Sequence, residues 1–112
     1  MIFGVPVNVY FNGFEHVHIG HHVYIAPGVC ITTANHDIID PGIGQPIEPI
    51  TIGDYCWIGA NAVILPGVTL GPHTIVGAGA IVTHSFPEGH MVITGNPARK
   101  LKDIPQTSKG EK

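Results

Sequence analysis

The sequence predicts an all-β fold, a parallel β-helix coiled in hexapeptide steps, and three observations carry that reading. An aliphatic residue returns at every sixth position through Ile52, Ile58, Ile64, Leu70, Val76 and Val82, and in another phase through Ile19, Ile25 and Ile31. Four places after these aliphatics stands a small or β-branched residue: Val23, Val29, Cys56, Ala62, Val68, Thr74 and Ala80. Gly and Pro gather at regular corners, as in Pro27-Gly28, Pro66-Gly67 and Gly71-Pro72. Neither a helical period of 3.6 nor a strand period of 2 generates this pattern. Short flat sides do, each placing one large aliphatic inward and turning on a small residue, and hexapeptide repeats mark a β-helix.

Taken in order, residues 1–18 carry a blurred beat through Val7, Phe11, Gly13 and Val17 and read as an imperfect first coil, since terminal repeats are atypical. Residues 19–36 read as one clear turn of three hexapeptides. The beat then stops. Ile31 and Ile52 stand 21 positions apart, which reads as one eighteen-residue turn plus three: a coil that continues while a loop bulges outward. The loop, about 32–51, holds Asn35-His36-Asp37 and a turn-rich run from Asp40 to Pro46. Insertions in a solenoid map to its working face, so this loop is where function is expected. Residues 52–87 give two full turns. Gly95 to Arg99 reads as a turn, and the last ten residues are too polar to pack. The expected organisation is one β-helix domain over 1–104 and a flexible tail over 105–112.

Composition narrows the partners. The chain of 112 residues has 12% charged residues and a formal net charge of −3. Outside Arg99, Lys100 and Lys102 there is no basic run, which argues against nucleic acid. The apolar stretches are too short to span a bilayer and no signal peptide is evident, so no membrane partner is expected. Cys30 and Cys56 read as small buried hydrophobes, not a disulfide framework, which fits a cytoplasmic protein. A solenoid leaves open edges and flat apolar faces, so self-association is expected.

The motifs "ITTANHD" (31–37), "CWIGANAVILPGV" (56–68), "VGAGAIVT" (76–83) and "GNPAR" (95–99) together resemble the hexapeptide-repeat acyltransferases. Within that family they look most like galactoside and maltose O-acetyltransferases and the acetyltransferases of exopolysaccharide synthesis. The resemblance covers roughly residues 17–102. It implies a left-handed parallel β-helix, a homotrimer, acetyl-CoA as acyl donor and a small hydroxyl-bearing acceptor such as a sugar. His36 takes the position of the catalytic base, flanked by Asn35 and Asp37 on the acceptor side. A hydroxyl is a poor nucleophile at neutral pH, and a neutral imidazole can take its proton as it attacks a thioester. Main-chain donors around Trp57 to Ala60 would meet the oxyanion.

Ala60, Ala78 and Thr83 match the family's donor-binding positions, where small residues let backbone approach a ligand, although solenoid corners need small residues anyway. Arg99 and Lys102 match a cationic tail that meets the donor's phosphates, or else form a solvated tail. His84 stands where many relatives carry Lys, which makes a phosphate contact there weaker or pH-dependent. Trp57 is expected to point outward, at a subunit contact, a wall of the acyl tunnel or plain packing.

The acceptor side departs from the family pattern. Its longer members carry an N-terminal helical segment that this sequence lacks. Pro6 and Gly13 occupy the places of an acceptor-orienting Asn and acidic residue, with Asn8, Asn12 and Glu15 close by as substitutes. Two rival readings come from other classes. The γ-class carbonic anhydrases share the fold and bind zinc through three His, and His16, His18, His21 and His22 crowd seven positions here. Such neighbours on a flat coil face do not obviously converge on one tetrahedral ion, and no metal is expected. The other rival is a non-catalytic solenoid relic, against which the retained His36 loop argues.

Overall fold

In the computed structural model, residues 2–3, 9–36 and 39–105 are described, and they form a left-handed parallel β-helix with three faces. Ile2–Phe3 (β1), Tyr10–Asn12 (β2) and Val17–Ile19 (β3) supply the faces of the first coil, with a 3-10 turn at Phe14–His16 before the third. Val23–Ile25 (β4) and Cys30–Thr32 (β5) begin the second coil. The chain then leaves it for a hairpin of Asn35–His36 (β6) and Gly44–Gln45 (β7), and returns as Ile50–Ile52 (β8). Trp57–Ile58 (β9), Val63–Ile64 (β10) and Thr69–Leu70 (β11) make the third coil. The fourth comprises Thr74–Val76 (β12), Ile81–Val82 (β13) and a bridge from Phe86 to Leu70. Met91–Gly95 (β14) starts a fifth, and Ala98–Asp103 (β15) turns back along it.

Coils stack in parallel register. Trp57 faces Ile75, Val63 faces Ile81 and Thr51 faces Thr69, each pair eighteen residues apart. The beat is what the stack buries. Ile25, Ile31, Ile52, Ile58, Ile64, Leu70, Val76 and Val82 all lie in the core, and Cys56, Ala62, Val68, Thr74 and Ala80 fill the corners between them. A narrow three-sided interior admits one large aliphatic per face, and each contributes about 2 kcal/mol by leaving water. Thr74 is the polar member. Its hydroxyl donates to the Gly71 carbonyl at 2.8 Å, and the Cys56 thiol reaches the same oxygen at 3.2 Å. Burial pushes the Cys56 thiol above its ordinary value, as it does to a lesser depth for Cys30. Coil spacing also fixes Gly59. A methyl there would sit 2.6 Å from the Val76 oxygen and 2.7 Å from the Ala78 nitrogen, both backbone atoms of the next coil.

Two sequence expectations change. The 21 positions between Ile31 and Ile52 are not a turn plus three. Ile31 pairs with Ile64 and Ile52 with Leu70, which are six apart, so a fifteen-residue excursion sits inside one coil. The third face of that coil is therefore β8, and the stretch ending at residue 36 does not complete a turn. The C-terminal region changes too. Arg99 and Lys102 stand on β15, which pairs antiparallel with β14, and Ala98 is buried. The end of the proposed tail, residues 106–112, falls outside the described residues.

The histidine-rich stretch is dispersed by the fold. His18 is exposed on β3, the His21 amide takes the Asp54 carboxylate at 2.8 Å, and His22 stacks on Tyr55 with ring centroids 4.9 Å apart. His22, Tyr55, His73 and His90 occupy one corner of successive coils, all with φ between 52° and 64°. Among the described residues, no three His, Cys, Asp or Glu side chains form a metal-holding group.

Candidate active site

The excursion rises from a corner closed by coil-to-coil bonds. Asn12 O accepts from the Thr33 amide at 3.1 Å, Thr33 O from the Glu48 amide at 3.3 Å, and Glu48 O from the Gly67 amide at 3.0 Å. Thr33 is fully buried, and its hydroxyl also donates to Asn12 O at 3.2 Å. Thr33 and Glu48 thus share the level that Pro66 occupies in the next coil, and the chain between them is free to project. Within it, Asn35 pairs with Gln45 and His36 with Gly44 in an antiparallel hairpin. An Asp40 turn follows the far side, its carboxylate accepting the Gly42 amide at 3.2 Å. Asp37 lies outside the described residues, as does Asn8.

Along the wall, Trp57 stands outward on β9 as expected, half exposed, with Tyr24 packed edge-on at 6.0 Å. Ala60 and Ala78 occupy one corner of consecutive coils, and the Ala60 carbonyl accepts the Gly79 amide at 2.8 Å. Of the main chain named as oxyanion donor, the Gly59 amide is already committed to Val76 O at 2.8 Å. The Ala60 and Ala78 amides have no hydrogen-bond partner among the described residues.

At the C-terminal end, three of the expected donor-binding residues touch. Thr83 Oγ1 lies 2.8 Å from His84 Nδ1, and Arg99 Nη1 lies 3.2 Å from His84 Nε2. The His84 ring lies parallel to that of Phe86, centroids 6.4 Å apart. Lys102 is exposed on β15 opposite Val92, apart from this cluster. On the acceptor side, the Asn12 amide group donates to the Tyr10 hydroxyl at 3.3 Å. Glu15, in the 3-10 turn, is exposed with its carboxylate 3.8 Å from His16 Nε2. Sequence reasoning missed Phe86, which bridges to Leu70 at a spacing of sixteen and so falls off the beat. It also missed Glu48, whose role is carried by its backbone.

The family model described as bacterial transferase hexapeptide (six repeats) matches residues 49–84. The galactoside O-acetyltransferase of Escherichia coli K12 is 33% identical over 119 residues, covering 86% of this chain and 58% of that protein. The crystal structure of a maltose O-acetyltransferase from Clostridium difficile 630 superposes with a TM-score of 0.77 at 31% identity, covering 95% of this chain and 68% of the other. A galactoside acetyltransferase in complex with coenzyme A superposes at 0.74 with 30% identity, covering 93% and 64%. The chain spans about half the length of the curated relatives it matches.

Proposed function

The chain belongs to the hexapeptide-repeat acyltransferase family, and from that premise we propose that it is an acetyl-CoA-dependent O-acetyltransferase acting on a hydroxyl of a sugar or related small acceptor. One observation carries the reading. Among the described residues, the regular wall is broken by one long excursion, and that excursion bears Asn35 and His36. The similarity to a galactoside acetyltransferase bound to coenzyme A supports the donor.

In this reading the His36 imidazole takes the proton of the acceptor hydroxyl as its oxygen bonds to the thioester carbonyl carbon. The resulting oxyanion is met by a main-chain N–H, for which the Ala60 amide, without a partner among the described residues, is suited. Collapse breaks the C–S bond, the imidazolium returns its proton to the departing sulfur, and free thiol and an acetyl ester remain. General-base removal costs about 10²–10⁴ in rate. Thiol release from acetyl-CoA across a sugar panel tests this: His36→Ala should lose at least a hundredfold in kcat, on the order of the general-base term. Equal rates for wild type and variant would remove His36 from the mechanism.

The proposal includes a homotrimer with the site shared between subunits. The exposed Tyr24, Trp57, Ile39, Ile43 and Ile47 support such an assembly, since apolar groups gathered on a face and a loop favour contact. Sedimentation would show it, and a stable, active monomer would rule the shared site out. A cytoplasmic setting belongs to the same reading, supported by the free thiols of Cys30 and Cys56.

A further inference from the structure

Five asparagines stand in the chain, and Asn12 is the one that a glycine follows. The fold calls for that glycine. Gly13 has a φ of 74°, and a Cβ on it would collide with the Thr33 hydroxyl. The Gly13 nitrogen therefore has no side chain of its own to shield it. Its amide has no hydrogen-bond partner among the described residues, and β2, which ends one residue earlier, is the outermost strand of its sheet. A carbonyl carbon lies within reach of that nitrogen. Asn12 is half-buried, its Nδ2 donates to the Tyr10 hydroxyl at 3.3 Å, and its Oδ1 has no partner among the described residues. The peptide group that joins the two residues is set apart by its oxygen. Asn12 O accepts from the Thr33 amide at 3.1 Å and from the Thr33 hydroxyl at 3.2 Å. Deprotonating a peptide nitrogen moves negative charge onto the oxygen of the same group, and hydrogen bonds to a charged form favour it. Thr33 is fully buried, so its two donors do not share themselves with water. The Thr33 pair thus acidifies the Gly13 N–H.

We infer that Asn12-Gly13 is a self-modification site, at which the folded chain converts a carboxamide into a carboxylate with water as the co-reactant. A solvent base takes the Gly13 amide proton, and the nitrogen bonds to Asn12 Cγ. The Cγ–Nδ2 bond breaks, the nitrogen leaves as ammonia with a proton from solvent, and a five-membered succinimide closes. Water then opens the ring at one carbonyl or the other and gives aspartate or isoaspartate. The formal net charge of −3 becomes one unit more negative. Either product sets a carboxylate beside the Tyr10 hydroxyl. Isoaspartate also lengthens the main chain by one carbon, at the residue whose carbonyl holds Thr33 at the root of the excursion. The step depends on neither the donor nor the acceptor proposed above.

The test holds the folded full chain and the urea-unfolded chain in the same mildly alkaline buffer. Peptide mapping that separates asparagine, aspartate and isoaspartate then follows each position. Asn12 should convert in the folded chain at least as fast as in urea, while Asn35 and Asn61 stay unchanged over the same time. Asn96 is an internal control, because Pro97 offers no N–H. Thr33→Val keeps the shape of the side chain and removes its hydroxyl. It should slow the conversion by about fivefold, the factor that one hydrogen bond of ordinary strength corresponds to, and Thr33→Ser should restore the rate. Conversion of Asn12 in urea but not in the folded chain overturns the inference, since the fold would then be protecting the carboxamide. Conversion of folded Thr33→Val at the wild-type rate or faster overturns the activation by Thr33 on which the inference stands. The comparison of folded with unfolded wild type decides the matter even if neither variant folds.

Discussion

The second and third coils cross the same corner in two ways. From Ile64 to Leu70 the chain turns directly through Pro66-Gly67, whereas from Ile31 to Ile52 it detours for fifteen further residues before resuming the same register. The inward aliphatics of both coils, Ile25, Ile31, Ile52, Ile58, Ile64 and Leu70, are fully buried. The difference teaches that a coil is held by its inward side chains and by the bonds to its neighbours, not by continuity of the chain. The Thr33–Glu48–Gly67 bonds close the gap that the detour leaves. Entropy barely objects, since each doubling of a loop's length costs about 0.6 kcal/mol. A site can therefore be built on the excursion with little demand on the core.

The largest expected effect tests whether the interrupted coil shares the stability of the regular one. Ile31 and Ile64 are paired and equally buried. Their alanine variants should each lose about 2–5 kcal/mol by chemical denaturation. A loss at Ile31 less than half that at Ile64 would show that the detour has uncoupled its coil. Next comes a pair of glycines. Gly59→Ala pushes a methyl into the backbone of the next coil and should cost about 2 kcal/mol. Gly44→Ala, on the excursion, meets nothing within 4 Å and should stay within about 0.5 kcal/mol. Similar losses at the two would mean that the hairpin is packed like the wall.

The smallest effect concerns pH. Burial raises the Cys56 thiol above 9.0, so the folded chain keeps a proton that the unfolded chain sheds once pH passes that value. The unfolded state then binds fewer protons, and stability falls as pH rises beyond about 9, with no slope from this group below it. Denaturation of Cys56→Ala should be flatter from pH 9 to 10 than that of wild type. A parallel pair of curves would assign the alkaline loss elsewhere.

The inward beat was legible because each position from Ile52 to Val82 answers to the same local geometry, and so does each corner filler from Cys56 to Ala80. The break was legible as a break but not as a length. A period of six returns the same remainder for three extra residues as for fifteen, so Ile31 and Ile52 could not report which coil each belonged to. Strand β15 was hidden for another reason. Ala98-Arg99-Lys100-Leu101-Lys102-Asp103 is mostly polar and exposed, and it is held by pairing with β14 and not by burial of its own pattern. The His84–Arg99 contact followed from that strand and was hidden with it, so three residues assigned separately to the donor proved to include one hydrogen-bonded chain.

Strand β15 has a consequence for how long the stack can be. A parallel β-helix has no inherent stopping point, because each new coil offers the next the same row of backbone donors and acceptors. On the face that ends in β14, the row is occupied by a strand running the other way, on which Arg99, Lys100, Lys102 and Asp103 are exposed. Another molecule arriving end-on would meet reversed polarity and charge instead of a template. On that face the hairpin acts as a chain terminator in the polymer chemist's sense, in a fold whose repeats would otherwise propagate.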